Sequence, residues 1–307
     1  MGQLLAAGHI NWDVTLRVSA LPEPDGEARI TEQHRAGGGS AANVASALAG
    51  LELEAGLIGS VGTDEQGRMA VRELEASGVD VARVISVEGE TTVKYLVVDD
   101  AGEVMVLAND GVNEAVGPED IAAEMVAGAS HLHLTGQRPA TAARLIDLAH
   151  EAGLTVSFDP GRRVDERDFS PLLDQVDVLL VNELEARAVF GADEGAEIAG
   201  AAGPERTIVV KRGADGASLY AGGEPVHHPG FAVEAVDTTG AGDAFAAGYL
   251  AATVGGFALD EATAGTPDPE RVLAMANASG ALTVQQAGAR SAPTREALAA
   301  FLAERTA

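Results

Sequence analysis

Residues 236–245, Val-Asp-Thr-Thr-Gly-Ala-Gly-Asp-Ala-Phe, combine glycines and carboxylates at a predicted junction between a strand and a helix. The apolar residues 232–236 predict the end of a strand, and the residues after the glycines have helical composition. Residues 240–243 would then form the first helical turn, where backbone N–H groups lack partners within the helix. Asp243 could serve there as a cap, but two glycines around Ala241 are unnecessary for capping. They predict a cradle for phosphate beside a carboxylate, a combination suited to phosphoryl transfer.

The run Asp-Thr-Thr-Gly-Ala-Gly-Asp at residues 237–243 resembles the C-terminal signature of the ribokinase family, the PfkB-type carbohydrate and nucleoside kinases. In that family the last Asp is the base that activates the substrate hydroxyl, and the Gly-Ala-Gly backbone forms an anion hole. The resemblance therefore implies that Asp243 is the catalytic base and that Gly240, Ala241 and Gly242 hold the migrating phosphoryl group. It also implies ATP as the donor. These roles agree with the positioning and proton acceptance that phosphoryl transfer requires.

Residues 8–13, Gly-His-Ile-Asn-Trp-Asp, follow the first predicted strand, where an open α/β sheet places its ligands. Asp13 either begins a turn or binds substrate. The resemblance implies that it accepts hydrogen bonds from sugar hydroxyls, with Asn11 nearby.

Residues 37–43, Gly-Gly-Gly-Ser-Ala-Ala-Asn, fit the loose dinucleotide pattern Gly-x-Gly-x-x-Ala, which is a weak signal by itself. The first strand of the chain does not lead into this run, which argues against a nicotinamide site. The run instead resembles the N-terminal signature of the ribokinase family. By that resemblance Gly38 and Gly39 let a lid and a helix meet the substrate, and Asn43 binds sugar hydroxyls; a lid hinge before a helix is the structural alternative.

Asn182-Glu183-Leu184-Glu185 resembles the Asn-x-x-Glu element of the family, which organises Mg²⁺ through water and helps to position phosphate. Asn182 and Glu185 inherit these roles, and Glu183 is expected to face solvent. The alternative is that both carboxylates are present because the first turn of a helix favours negative charge.

The run Lys-Arg-Gly-Ala-Asp-Gly at residues 211–216 resembles the segment that lines the nucleotide site in the family. Gly213 and Gly216 are expected to permit a turn there. Lys211 either contacts phosphate or is solvated at a strand end. Asn277 lies in the region that borders the adenine in relatives.

The resemblance further implies a potassium site. In the family this cation is held by the first Asp of the signature, here Asp237, and by backbone carbonyls from the regions of Thr239 and Gly288.

Short apolar strands alternate with Ala-rich helical segments along most of the chain, which predicts a mostly parallel sheet sandwiched by helices. Two segments break the alternation because they predict strand after strand, about 14–36 and 92–108. We expect them to form a small β-sheet lid on a single ribokinase-like α/β domain spanning 1–307. In several relatives the lid is also a dimer contact, which leaves a homodimer through the lid open.

Acidic residues outnumber basic residues by 47 to 20, the formal net charge is −27, and Lys94 and Lys211 are the two lysines. This charge argues against nucleic acid as a partner. The acidic groups would repel one another in dilute buffer. At molar salt the screening length falls to about 3 Å, and this repulsion largely vanishes. Acidity with lysine depletion favours a halophilic protein in a salt-rich cytosol, and an ordinary acidic cytosolic protein is the alternative.

The chain contains no cysteine, which excludes disulfides and favours a cytoplasmic setting. No run approaches the roughly 20 apolar residues of a membrane helix, so we expect no membrane partner. The motifs of serine hydrolases, P-loop enzymes and His-Glu-x-x-His metalloenzymes are missing from the sequence. His131 and His133 are spaced for one face of a strand rather than for a metal site.

The order of the motifs leads us to expect an ATP-dependent kinase that transfers the γ-phosphate to a primary hydroxyl of a sugar. A nucleoside kinase acting on the ribosyl 5'-hydroxyl is the alternative. Three segments that resemble archaeal nucleoside kinases favour this alternative, namely residues 8–13, 22–24 and 157–161. Trp12 would favour it too if its ring stacks on a base, whereas the other interpretation of Trp12 is packing in the lid. A remote alternative is a sugar-binding protein without catalysis on the same scaffold.

Overall fold

A computed structural model describes residues 2–204, 206–255, 268–286, 288, 290 and 293–305. Its strands form one large sheet and one small sheet. The strands are β1 (Gln3–Ala7), β2 (Asn11–Val18), β3 (Ile30–Gly38), β4 (Ala55–Gly62), β5 (Val84–Val87), β6 (Val93–Val98), β7 (Val104–Ala108), β8 (Ala129–Thr135), β9 (Thr155–Asp159), β10 (Val178–Asn182), β11 (Thr207–Lys211), β12 (Ala217–Tyr220) and β13 (Val226–His228). The helices are α1 (Ser40–Gly50), α2 (Glu65–Ala76), α3 (Pro139–Glu151), α4 (Ser170–Leu173), α5 (Glu183–Phe190), α6 (Ala196–Ala202), α7 (Ala241–Thr253), α8 (Pro269–Val284) and α9 (Arg295–Arg305).

In the part of the chain that the structure describes, the large sheet has nine strands in the order β13-β12-β11-β10-β9-β8-β1-β4-β5. Its neighbours are parallel from β5 to β11, and β12 and β13 continue it in antiparallel pairing. The central strands are apolar runs because both of their faces are covered, and β4 is buried along its full length. The carboxyl ends of the parallel strands therefore meet along one edge, where α/β sheets place their ligands.

Helices cover both faces of the large sheet, as the sequence predicts. One core contains buried residues of α1, α2, α7 and α8, and the other contains residues of α3, α4, α5 and α6. A Cβ at Gly248 of α7 would overlap the Ser279 hydroxyl of α8. The absence of a side chain at Gly248 therefore allows the two helices to pack closely. Helix α9 packs on α8 through a third cluster that includes Leu298 and Phe301. The Ala-rich residues 294–307 predict a C-terminal helix; α9 covers Arg295–Arg305 of it, and 306 and 307 lie outside the described residues.

The small sheet, here called the lid sheet, has the order β3-β2-β6-β7. Strand β2 pairs antiparallel with β3 and parallel with β6, and β7 forms a hairpin with β6. The chain leaves the large sheet after β1 and returns to it where β3 ends and α1 begins. This route places the start of β2 and the end of β3 side by side at the carboxyl edge of the large sheet. The small β-sheet predicted from the sequence is thereby confirmed.

The strand predicted at residues 232–236 is wrong, since the described residues there form no strand. The backbone N–H groups of Val236 and Asp237 instead donate to the carbonyl of Val284 at the end of α8, at 2.7 and 3.1 Å. Val236 is exposed. Apolar residues alone predict a strand, but a strand also needs a neighbour to pair with, and here the partner is a helix end.

Among the described helices we find none whose length and apolar character would suffice to cross a bilayer.

Candidate active site

The glycine turn lies directly before α7. Gly240 has a φ of 79°, a left-handed conformation that glycine adopts without strain, and no described side chain caps the helix. The Ala241 N–H donates to the Thr238 carbonyl at 3.3 Å, and the N–H groups of Gly242 and Asp243 keep their capacity to bind an anion. A Cβ added to Gly242 would meet only Lys211 Nζ, at 3.6 Å. The structure thus brings Lys211 to the glycine turn, where an ammonium and helix N–H groups face the same space.

Asp243 is the acidic residue of the first turn of α7, and it contacts helix α1. Its Oδ2 accepts a hydrogen bond from Asn43 Nδ2 at 2.7 Å. Burial raises the pKa of Asp243 to about 7, the nearby Asp159 adds to the rise, and the bond from Asn43 opposes it. A carboxyl that titrates near neutral pH is suited to accept a proton from a hydroxyl.

Three neighbouring strand ends bring charged groups together beside the glycine turn. Lys211 at the end of β11 donates to Asp159 Oδ2 at the end of β9, and it is in register with Asn182 at the end of β10. Burial opposes the charge of Lys211, but Asp159 and Glu185 outweigh it and raise its pKa. Burial raises the pKa of Glu185, and Asp159 adds to that rise. Lys211 is therefore held as a buried cation among carboxylates rather than solvated.

Asn182 and Glu185 form a reciprocal cap at the start of α5. Asn182 Oδ1 accepts from the Glu185 N–H at 2.9 Å, and Glu185 Oε2 accepts from the Asn182 N–H at 2.8 Å. Glu185 is buried, and its Oε1 takes no part in the cap. Glu183, expected to face solvent, pairs with Arg212 at 3.1 Å and is partly exposed.

These residues fit a magnesium ion held through water. The described residues bring no three His, Cys, Asp or Glu side chains together as a metal site. Mg²⁺ keeps several waters and is commonly bound by one or two carboxylates with substrate phosphates, for which the Oε1 of Glu185 and the neighbouring Asp159 are the oxygens at hand.

Asp237 connects the signature to the loop after α8. Its Oδ1 accepts from the Thr239 N–H and its Oδ2 from the Gly288 N–H, both at 2.9 Å. Burial would raise the pKa of Asp237, but these two donors outweigh it and lower the pKa. The three residues predicted for the potassium site therefore meet, with the carboxylate bound to backbone N–H groups.

Gly38 and Gly39 allow the end of β3 to approach the residues that follow β1. A Cβ at Gly38 would overlap the Asp13 carboxylate. Gly39 has a φ of 97°, and a Cβ there would overlap the carbonyl of His9. Asn11 is buried and its Oδ1 accepts from Asn113 Nδ2. The absence of side chains at these two glycines thus lets the end of β3 lie against His9 and against the Asp13 carboxylate of β2.

Two buried oxygens in this region have no partner among the described residues, Asp13 Oδ1 and Asn43 Oδ1. Buried polar atoms are normally paired, so these two fit the hydroxyl donors of a ligand. Burial raises the pKa of Asp13, while Lys94 and Arg290 oppose that rise. Asn43 donates its backbone N–H to the Gly39 carbonyl at 2.8 Å and its side-chain amide to Asp243, so it joins the end of β3 to the predicted base.

The turn after β11 contains Gly213 and Gly216, with φ values of 57° and 81°. A Cβ at Gly216 would overlap the carbonyl of His228, whereas Gly213 has open space around it. Asn277 Nδ2 lies 3.3 Å from His228 Nδ1. Gly216 and Asn277 therefore both contact His228. Gly213 lies in the same turn as Gly216 and makes no such contact.

Sequence reasoning assigned no role to Asp159, Lys94 or Arg290. Asp159 lies in a run noted only for its resemblance to nucleoside kinases, although its place after an apolar strand is the signal that marks the other site residues. Lys94 is one of two lysines and pairs in register with Asp13. Arg290 donates to the Gly38 carbonyl at 3.1 Å, a contact across 252 residues that no local pattern indicates.

Comparison with known proteins agrees with this geometry. The model of a family described as pfkB family carbohydrate kinase matches residues 1–296. An ATP-dependent ribose-1-phosphate kinase of Halopiger xanaduensis is 56% identical over 306 residues, 99% of each chain. A nucleoside kinase of Methanothermobacter thermautotrophicus is 30% identical over 82% of this chain and 83% of its own. The structure of Arabidopsis thaliana ribokinase complexed with ribose and ATP superposes with a TM-score of 0.84 at 25% identity, covering 98% of both chains.

Proposed function

Because the chain belongs to the pfkB family of carbohydrate kinases, we propose that it phosphorylates ribose 1-phosphate on its primary hydroxyl at the expense of ATP. The general activity is that of an ATP-dependent phosphotransferase with an alcohol group of a sugar as acceptor. The acceptor is supported by the identity of 56% over nearly all of both chains to a ribose-1-phosphate kinase. The single observation that carries the chemistry is the bond from Asn43 to Asp243 at the first turn of α7.

Asp243 takes the proton of the primary hydroxyl through a carboxylate oxygen, and the hydroxyl oxygen attacks the γ-phosphorus as the bond from that phosphorus to the bridging oxygen breaks and ADP leaves. Asn43 orients that carboxylate, while its unpartnered Oδ1 and that of Asp13 accept bonds from sugar hydroxyls. The N–H groups at the start of α7 and the Lys211 ammonium stabilise the charge on the transferred group. Mg²⁺, when bound near Asn182 and Glu185, neutralises phosphate charge.

The nucleoside alternative has less support, because Trp12 does not offer a stacking face. Trp12 is 4% exposed and belongs to the core beneath the lid sheet. Its role is packing in the free protein, which was the other interpretation of this residue.

An acceptor panel with coupled detection of ADP tests the proposed function. Ribose 1-phosphate, free ribose, fructose and nucleosides are compared at molar KCl with Mg²⁺, and phosphorus NMR locates the new phosphate. We expect the highest kcat/KM for ribose 1-phosphate, with a second monoester on C5. A higher kcat/KM for free ribose or a nucleoside would overturn the acceptor. Acceptor binding without ADP formation would indicate the non-catalytic alternative.

Potassium bound near Asp237, Thr239 and Gly288 is a further part of the proposal. It is supported by the convergence of these three residues on one loop connection. A cation there would act on the glycine turn through Thr239, which precedes Gly240.

A homodimer through the lid sheet is also part of the proposal. Of the eight large hydrophobic residues that are exposed in the described chain, six lie in this sheet. They are Ile30, Tyr95, Val104, Met105, Val106 and Leu107. Such a concentration on one small sheet is typical of a protein interface, and a second copy of the chain offers the same apolar surface.

The acidic surface is proposed to adapt the enzyme to a salt-rich cytoplasm. The net charge of −27 and the near absence of lysine support this part.

A further inference from the structure

A group of basic side chains lies at the carboxyl edge of the large sheet, outside the residues assigned so far. His9 follows β1, Arg138 follows β8, and Arg163 and Arg167 follow β9. These strands are neighbours, so their ends converge. In a chain with a net charge of −27, four basic groups around one point need a physical reason.

Glu114 lies at the centre of this basic group. Its carboxylate contacts His9 Nε2 and Arg138 Nε, both at 3.1 Å, and an Arg167 guanidinium nitrogen at 2.6 Å. Burial opposes the charge of Glu114, but His9 and Arg167 outweigh it and lower its pKa. One carboxylate cannot neutralise both Arg138 and Arg167, so it fixes their geometry and leaves the site positive.

Arg163 of the group and the nearby Lys94 add to that positive charge. Burial lowers the pKa of His9, Arg163 and Lys94 lower it further, and Glu114 opposes them. The carboxylate that Arg163 contacts is Glu166, at 3.6 Å and 70% exposed, an arrangement that contributes little. Lys94 also acts on Asp13, its register partner, and so connects the basic group to the sugar contacts.

A small cleft that is open to solvent adjoins this group. Its lining includes Asn113, Glu114, Gln137 and Arg138. Gln137 is 8% exposed, and its Nε2 has no partner among the described residues. A buried amide donor without an acceptor fits an anionic oxygen of a ligand. Asn113 bonds both the Ile10 N–H and Asn11, so the cleft borders the segment that carries Asp13.

The triphosphate of ATP does not explain this group. Lys211 and the glycine turn lie at the end of β11, whereas Arg138 follows β8, three strands away in the sheet order. With neighbouring strands roughly 4.8 Å apart, the separation is about 14 Å. The two candidate anion-binding sites therefore lie at different strand ends along the same edge of the sheet.

We propose that Arg138, Arg163 and Gln137, held in place by Glu114, bind the phosphate group that the acceptor sugar already carries. This inference rests on the proposed function, because a free sugar would present no anion here. It gives the sugar one orientation, with its primary hydroxyl at Asp243 and its phosphorylated carbon at the basic group. Arginine suits the task because its planar fork binds two phosphate oxygens at once.

The test compares kcat/KM for ribose 1-phosphate and for free ribose in Arg138→Gln and Arg163→Gln. We expect each variant to lower the ratio of the two kcat/KM values at least tenfold, through a higher KM for ribose 1-phosphate. Arg187→Gln is the matched control. Arg187 is 58% exposed and pairs with Asp193, outside the basic group, much as Arg138 is 61% exposed and pairs with Glu114. The control should leave the ratio unchanged.

Two failures are distinguishable. If wild-type enzyme does not prefer ribose 1-phosphate, the proposed function fails and the subsite fails with it. If wild-type enzyme prefers ribose 1-phosphate but the variants keep the wild-type ratio, or lose both substrates equally while retaining the wild-type melting curve, the subsite alone is overturned. Inorganic phosphate gives a second readout, because its competitive inhibition against ribose 1-phosphate should weaken in both variants and persist in Arg187→Gln.

Discussion

Asp243 combines a location and a protonation state that a hydroxyl activator needs. Its carboxylate lies at a helix start without a capping side chain, and Asn43 fixes one oxygen. Burial and Asp159 bring its pKa to about 7, so both protonation states are accessible near neutral pH. The same burial lowers the free energy of unfolding whenever Asp243 is ionised, and such a loss of stability is typical of functional sites.

Asp243→Asn is expected to lower kcat by roughly 10² to 10⁴, because the variant keeps the shape of the site but cannot take a proton. The affinity for ATP should change little, since the N–H groups of the turn and Lys211 remain. Steady-state kinetics and titration calorimetry with ATP measure the two effects. A variant with wild-type kcat would remove Asp243 from the role of base.

The pH profile of kcat/KM should reflect the same carboxyl. Because the base must be deprotonated, activity should rise with pH through about 7 and level off above it. Asn43→Ala should move this inflection upward, since the bond from Asn43 stabilises the ionised form. A profile flat from pH 5 to 8 in the wild type, measured at constant salt, would contradict the assignment.

At the scale of elements, the site is built where chain segments end. The ends of β9, β10 and β11 supply Asp159, Asn182 and Lys211, and parallel pairing places them side by side. The starts of α1 and α7 supply Asn43 and Asp243, which meet because the two helices share one core. The lid sheet joins these elements where β3 ends at Gly38 and α1 begins at Ser40.

Gly38→Ala tests the close approach of β3 to Asp13. The added methyl would overlap the carboxylate, so Asp13 must move and the KM for the sugar should rise by an order of magnitude or more, consistent with about 1–3 kcal/mol for a lost polar contact. Gly200→Ala is the control because it lies in α6 with open space around it. Equal KM values in the two variants would argue against Asp13 as a sugar contact.

Leu107→Glu tests the lid sheet as a dimer interface. A charge in the apolar edge strand β7 should shift the protein from dimer to monomer in sedimentation analysis. Leu184→Glu is the matched control, an exposed leucine outside the lid sheet that should leave the assembly state unchanged. A wild-type protein that sediments as a monomer at all concentrations would end this part of the proposal.

At the scale of the molecule, two contributions to the stability of the folded state oppose each other: packing of the α/β core and repulsion between acidic groups at the surface. Two cores flank the large sheet, and helices α7 and α8 pack closely through small residues. The acidic excess of 27 charges opposes this compact state unless counterions screen it.

Thermal stability should therefore rise steeply with salt. Between roughly 0.1 and 3 M KCl the screening length falls from about 10 Å to below 3 Å, and the melting temperature should increase over this range. Calorimetry at fixed pH measures the effect, and sucrose serves as an uncharged control. A melting temperature that is already maximal in dilute buffer would contradict the halophilic interpretation.

The sequence by itself determined the features that depend on neighbouring residues. The alternation of strands and helices, the small second sheet, the glycine turn at residues 240–242 and the family follow from local periodicity and short motifs. The strand expected at 232–236 failed because strand formation requires a partner that a local pattern does not contain.

Only the tertiary structure decided which distant groups meet. Asn43 and Asp243 are 200 residues apart, and Lys211 and Asp159 are 52 apart. The raised pKa of Asp243, the burial of Trp12 and the basic group around Glu114 arise from such contacts. Electrostatics and burial depend on distances in space, and folding sets those distances through the packing of the whole chain.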